Sequence, residues 1–378
     1  MLQSPLRVHL CAVHVFCGTV TADQLLQIFA GCPQLQKLFV EVDAESINTL
    51  TESTDGAAPF NAHTWPSSLR TVQFSLRGFG IDLKAFVNVL PPSSDSGFPE
   101  LTFVLVEDLW MDLAPLFPLS HRTSLFVSQE LPESQLSVVK QMRSLVSLSL
   151  NHGGPVDDVK DLLALLAEAE EPHQLQRLER ISMNSIDLDD EGMQGLVTLP
   201  NLTELEPGAI HPSCFSLLCS FSKMRTLHLR PTDGSTVGAA EAAVLLSSLR
   251  AMPDLTSFEF RHWAEENSSQ SQTSVLAFLQ PLLDGLGSVA PQLRELSLSD
   301  CSRLPPLHGL RTCTQLRKLK LCGCFRGAAS DVGSQSREDV LLLVQSLRHL
   351  ERIEVKYCNL PLTEAQRTQL MPLCFSWS

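Results

Sequence analysis

Pro291-Gln-Leu-Arg-Glu-Leu-Ser-Leu-Ser-Asp-Cys301 decides the fold, because its spacing of Leu293, Leu296, Leu298 and Cys301 returns twice before the C-terminus. Leu316, Leu319, Leu321 and Cys324 repeat it, and so do Leu350, Ile353, Val355 and Cys358. Two apolar residues two apart share one face of a strand, since side chains alternate with period 2. Such a short strand cannot keep that face dry alone. Each unit must stack on the next.

Working outward from that stretch, the same triplet runs back through the chain with less regularity. Its anchors are Met224, Leu227 and Leu229; Leu255, Phe258 and Phe260; Leu178, Ile181 and Met183; and Leu145, Leu148 and Leu150. Leu202 with Leu205 and Leu125 with Val127 mark degenerate units. Leu101, Val104 and Val106, then Leu69, Val72 and Phe74, precede them, and 33–42 is the first clear strand unit. Leu6 to Val15 forms an incomplete opening unit. Apolar periodicity predicts helices over 22–32, 81–90, 156–170, 191–199, 214–221, 239–252 and 273–289, and Ser336-Arg-Glu-Asp339 reads as a capping box opening a further helix whose buried face is Val340, Leu343, Val344 and Leu347.

The L-x-x-L-x-L-x-x-C pattern resembles the leucine-rich-repeat signature. Leu293, Leu316 and Leu350 lie 23 and 34 residues apart, and units of this size with intervening helices are similar to the ribonuclease-inhibitor-like and cysteine-containing repeat classes. The resemblance implies an α/β leucine-rich-repeat solenoid, a horseshoe of roughly a dozen units with parallel strands on the concave face and helices on the convex face. Residues 1–378 are expected to form a single repeat domain with polar insertions near 43–66 and 263–274. The cysteine class is best known from F-box substrate receptors of ubiquitin ligases. The repeat pattern already runs from Leu6, so no F-box is expected in this chain.

The chain has a net charge of −14, with 42 acidic against 28 basic residues and no basic run to offset them. General affinity for nucleic acid or for an anionic membrane is not expected of such a surface. The eleven cysteines are an odd, scattered set, which favours reduced thiols and a cytoplasmic or nuclear protein. Val8 to Val20 has some of the apolar character of a secretory leader, but His9, His14 and the β-branched alternation read as a first strand. The later apolar stretch over 275–290 is interrupted by Gln280, Pro281 and Asp284, well short of a bilayer span.

No phosphate-binding loop, dinucleotide fingerprint, zinc-protease helix or C-x-x-C pair is present, and no cofactor is expected. Cys301, Cys324 and Cys358 sit at one repeat position and read as a buried row of small thiols, not a metal site lacking its fourth ligand. Asp187-Leu-Asp-Asp-Glu-Gly192 has the opening of a calcium loop, but Thr198 stands where the twelfth-position carboxylate belongs. It reads as the acidic start of a helix. His152-Gly-Gly-Pro155 lacks the G-x-S-x-G elbow that an esterase would need.

Strand alternation supplies the candidate site. If the leucines face inward, then His228, Arg230, Arg261, Lys318, Lys320, Arg352 and Lys356 share the outward, concave face. A basic stripe on an acidic protein would steer an acidic or phosphorylated protein partner onto the sheet. Glu259, Glu295 and Glu354 dilute it, and cross-strand pairing on a solvated face explains the same residues. In the N-terminal half the same positions would leave Phe39, Phe103 and Leu105 either exposed as a contact patch or covered by the segment from Asp43 to Pro66. The expectation is a non-enzymatic interaction scaffold of undetermined oligomeric state. The resemblance leaves three narrower roles open: ubiquitin-ligase substrate recognition, GTPase regulation, and a secreted receptor-type ectodomain glycosylated at Asn267.

Overall fold

The computed structural model describes residues 11–15, 21–47, 65–77, 81–90, 99–106, 112–117, 119, 122–128, 133–150, 175–232, 237–262, 269–301, 304–324, 330–358, 363–364 and 376–377. Among the described residues fourteen strands pair in the order of the sequence, and each of those pairings with a defined register is parallel. The chain forms two compact units, Met1–Met183 and Asn184–Ser378. The helix expected over 156–170, the His152 loop, Asn267 and most of the two polar insertions lie outside the described residues.

The first unit carries β1 (Ala12–Val15), β2 (Lys37–Val42), β3 (Thr71–Arg77), β4 (Glu100–Val106), β5 (Thr123–Val127), β6 (Leu145–Leu150) and the opening of β7 (Arg180–Leu188). Helices α1 (Ala22–Gly31), α2 (Leu83–Val89) and α3 (Glu133–Gln141) separate several of these strands. Phe74 packs edge-on against Phe86 of α2 at 4.9 Å, which ties the sheet to its helices through aromatic burial. In β4 the phase differs from the sequence expectation. Leu101 pairs with Val72, the middle residue of its triplet, so Leu101, Phe103 and Leu105 point inward. Phe103 and Leu105 are buried, at 0% and 4% exposure, and form no contact patch.

The second unit carries β8 (Glu204–Ile210), β9 (Thr226–Leu229), β10 (Ser257–Arg261), β11 (Glu295–Ser299), β12 (Lys318–Cys322), β13 (Arg352–Lys356) and β14 (Ser376–Trp377). Helix α4 (Asp190–Val197) precedes β8, and between the strands lie α5 (Ala239–Arg250), α6 (Ser269–Val289), α7 (Ser330–Ser346) and two 3-10 helices, Pro212–Ser220 and Leu307–Thr312. The span expected as helix over 214–221 is thus 3-10, a tighter form that fits a short connection. Helix α6 starts at Ser269, inside the expected polar insertion, and α7 starts at Ser330, so Ser336 is interior to a helix it was expected to cap.

Register explains the burial. Leu296 pairs with Leu319 and Leu319 with Ile353, while Leu298 pairs with Leu321 and Leu321 with Val355. All six are 0–1% exposed. One backbone arrangement recurs beside these rows: the carbonyl just ahead of a strand accepts two N–H groups from the following repeat. Thr256 O takes Arg294 and Glu295, Arg294 O takes Arg317 and Lys318, and Arg317 O takes Glu351 and Arg352, all at 2.8–3.0 Å. In the first unit Gln36 O likewise takes Arg70 and Thr71.

Helix ends follow their sequence signals. Thr21 and Gln24 form a reciprocal capping box on α1, Asp82 Oδ1 accepts from the Ala85 amide on α2, and Asp189 Oδ1 accepts from the Gly192 amide on α4. Sequential parallel strands in leucine register, with helices in the connections, make this a leucine-rich-repeat solenoid. Leu319→Ala should cost about 2–5 kcal/mol in a denaturant titration followed by circular dichroism. Leu342→Ala on α7, where the side chain is 47% exposed, should cost less than about 0.5 kcal/mol.

Candidate functional site

Parallel register sets the outward residues of the second unit in rows across the strands. One row reads Glu204, Thr226, Ser257, Glu295, Lys318, Arg352, and the next reads His228, Glu259, Ser297, Lys320, Glu354. A third holds Arg261, Ser299, Cys322 and Lys356. Arg230 follows directly after β9. All seven basic candidates therefore stand on, or at the end of, the outward positions of β9, β10, β12 and β13.

They are not a bare positive field. Lys318 pairs with Glu295 at 3.6 Å, Arg261 with Glu259 at 3.3 Å and Asp300 at 4.0 Å, and Arg352 and Lys356 grip Glu354 at 2.8 and 3.8 Å. The Glu354 side chain is only 8% exposed. Burying that carboxylate without partners would be costly, and two flanking cations offset the cost. Exposed pairs such as Lys318–Glu295 contribute little, about 0–1 kcal/mol.

His228, Arg230 and Arg261 also line a small pocket of about 30 Å³ with Asn184, Glu206, Gly208 and Glu259. That space holds about one water or one side-chain head group, against roughly 300–1,000 Å³ for pockets that enclose small molecules. The pocket exists because β8 carries one residue too many. Leu205 faces Leu227 and Ile210 faces Pro231, so β8 takes five steps where β9 takes four. Such a bulge accommodates Pro207, which has no N–H for the ladder. A Cβ on Gly208 would meet the backbone of Ile186 at 2.5 Å, so the pocket floor needs glycine. Pro207-Gly208 within a strand was the sequence signal for this feature.

Within the pocket the imidazole of His228 lies 3.5 Å from Glu206 and 3.9 Å from Glu259. Burial alone would push its pKa down. The hydrogen bond that the imidazole donates to Glu206 and the charges of Glu259, Glu206 and Glu204 outweigh burial and hold it above the usual histidine value.

Two other clusters are structural. Ser213 Oγ stands 2.8 Å from His211 Nδ1 and donates to Asp190 Oδ1 at 2.9 Å, while the Cys214 thiol donates to the same carboxylate at 3.1 Å. The serine lies between histidine and aspartate, so the aspartate does not orient the imidazole as a nucleophile-activating triad requires. His211 caps the 3-10 helix, Ser213 and Cys214 tie that helix to Asp190 in the first turn of α4, and burial together with Asp190 pushes the Cys214 thiol up to about 12.

The second cluster is the row of Cys301, Cys324 and Cys358. Each follows a left-handed residue, Asp300, Gly323 or Tyr357, with φ of 56°, 62° and 54°. Their thiols donate to strand carbonyls: Cys301 to Ser299, Cys324 to Leu298, and Cys358 to Leu321 and Lys356, at 3.2–3.4 Å. Cys324 and Cys358 are held far above the ordinary thiol range, chiefly by hydrogen bonding along the row and by burial. Among the described residues no group of three or more His, Cys, Asp or Glu is arranged to hold a metal ion.

No protein-family model matches the chain, and no curated protein does. Among solved structures it is similar to an internalin of Listeria monocytogenes (17% identity, covering 95% of this chain and 88% of that one, TM-score 0.41). It is also similar to the leucine-rich repeat-containing protein LegL7 of Legionella pneumophila (17%, 81% and 89%, 0.41) and to the mouse RP105/MD-1 complex (13%, 91% and 71%, 0.35). Likenesses this distant leave the repeat architecture resting on the chain's own strand order and register.

Gly208→Ala should destabilise the protein by about 1–3 kcal/mol, the usual range for forcing atoms into filled space, as read from thermal melts. His228 should titrate above pH 6.5 by NMR, and Glu206→Gln should lower its midpoint. Because the folded state favours the imidazolium, the stability advantage of wild type over Glu206→Gln should be full below about pH 6.5 and fade as pH rises through the folded-state midpoint.

Proposed function

We propose that this chain is a non-enzymatic interaction scaffold that binds a protein partner on the outward sheet face of β9–β13. Lys318, Lys320, Arg352 and Lys356 receive an acidic or phosphorylated group of the partner. The observation that carries the reading is the setting of Lys320. Its row neighbours are Ser297 and Glu354, and Glu354 is already held by Arg352 and Lys356. Lys320 has no ion pair among the described residues, so an incoming anion meets an uncommitted ammonium with two further cations on the adjoining strand.

Other features support the same reading. His228, Arg230 and Arg261 extend the face toward β9, and the small pocket that they line suits a single side chain of a partner rather than an enclosed metabolite. No helix among the described residues is long and apolar enough to cross a membrane. The described cysteines are all unbridged, in keeping with a reducing compartment such as cytoplasm or nucleus.

The test is charge reversal. Lys318→Glu, Lys320→Glu and Arg352→Glu combined should weaken capture of the partner from extract by at least about tenfold and flatten its salt dependence, as loss of steering charge does. Undiminished capture by a variant with a wild-type circular dichroism melt would reject this face.

A further inference from the structure

The two rows nearest the strand starts divide by charge. Over β8–β11 their outward positions hold Glu204, Glu206, Glu259 and Glu295 and no lysine or arginine. Over β12 and β13 they hold Lys318, Lys320 and Arg352 against Glu354 alone. Arg230, Arg261 and Lys356 lie beyond these rows, at the strand ends. We infer that the partner segment this face accepts is bipolar, carrying basic residues where it crosses β8–β11 and acidic residues where it crosses β12 and β13. The inference rests on the scaffold reading above and names the chemistry of its partner.

A uniformly acidic segment fits poorly. It would satisfy Lys320 and then run over four carboxylates, of which Glu295 is 53% and Glu206 33% exposed. Like charges brought together at an interface select against such a partner. The internal pairs do not erase the division. Lys318–Glu295 sits at the boundary between the two blocks, Glu206 and Glu259 share one histidine, and Glu259, 15% exposed, also pairs with Arg261 from beyond the two rows, which leaves Glu204, Glu206 and Glu295 as the more open acids. The blocks end on Glu204, which acts on His228 only through its charge, and on the basic strand β13. Strands about 4.8 Å apart put β8 and β13 about 24 Å from each other. About seven residues of extended chain span that distance, so the occupant is a short linear segment with a basic block beside an acidic one.

Three fluorescein-labelled twelve-residue peptides separate the outcomes in about 20 mM salt, where screening is weak. One has three Lys-Ser pairs followed by three Glu-Ser pairs. A second has the same composition with lysine and glutamate alternating, and a third has six Glu-Ser pairs. The block peptide should bind about tenfold more tightly than either of the others, as a few matched exposed charges would give. Glu204→Lys with Glu295→Lys should abolish that preference in a protein that keeps its folded circular dichroism spectrum. Equal or tighter binding of the glutamate-only peptide overturns the bipolar partner and leaves the scaffold reading standing. Absence of binding by all three peptides to folded protein overturns both.

Discussion

A single carbonyl holding two amides of the next repeat is the contact on which the rest of this molecule depends. It recurs at Gln36, Thr203, Arg225, Thr256, Arg294 and Arg317, always one residue after the first apolar anchor of the unit. By locking where each strand begins, it fixes which residues pair across the whole strand. A slip of one residue would turn every leucine outward. Hydrophobic burial supplies the free energy and this backbone clamp supplies the register, and neither alone would bring Leu296, Leu319 and Ile353 into one dry row.

Where the apolar spacing was strict, the sequence could be read directly, as in β11, β12 and β13 and in the thiol row behind them. It misled at β4 because Leu-Thr-Phe-Val-Leu-Val offers apolar residues on both faces, so periodicity cannot choose between two phases. Only pairing with Val72 and Phe74 chooses. It was incomplete at β8 because a bulge breaks period 2. Glu206 therefore stayed out of the basic stripe read from sequence, although it is the carboxylate nearest His228. Helix α7 begins before its best capping signal, since such a signal only ranks local alternatives, and the buried Val340, Leu343 and Leu347 fix the later part of the helix and not its start.

Most of the electrostatics was visible one strand at a time and became interpretable only across strands. Lysine at 318 and 320 and arginine at 352 suggested a basic surface when taken as a list. Placed in register, they adjoin Glu295 and Glu354, and the outward face resolves into neighbouring blocks of opposite sign. Long-range order of this kind comes from the stacking of repeats, since residues 34 positions apart, such as Lys318 and Arg352, become lateral neighbours.

The sealed thiols of the last regular repeats give the protein a chemical record of its own opening. Cys301 and Cys324 are 1% and 0% exposed, and Cys324 and Cys358 are held as neutral thiols by their hydrogen bonds. Thiolate is the form that alkylating reagents attack. Cys219 and Cys11, both exposed, are accessible in the native state, whereas the buried Cys301 and Cys324 become reactive only when neighbouring repeats part, and half-buried Cys358 stands between the two groups. The order in which cysteines are labelled thus separates surface accessibility from unzipping of the C-terminal coils, and measures the free energy of that unzipping against the rest of the chain.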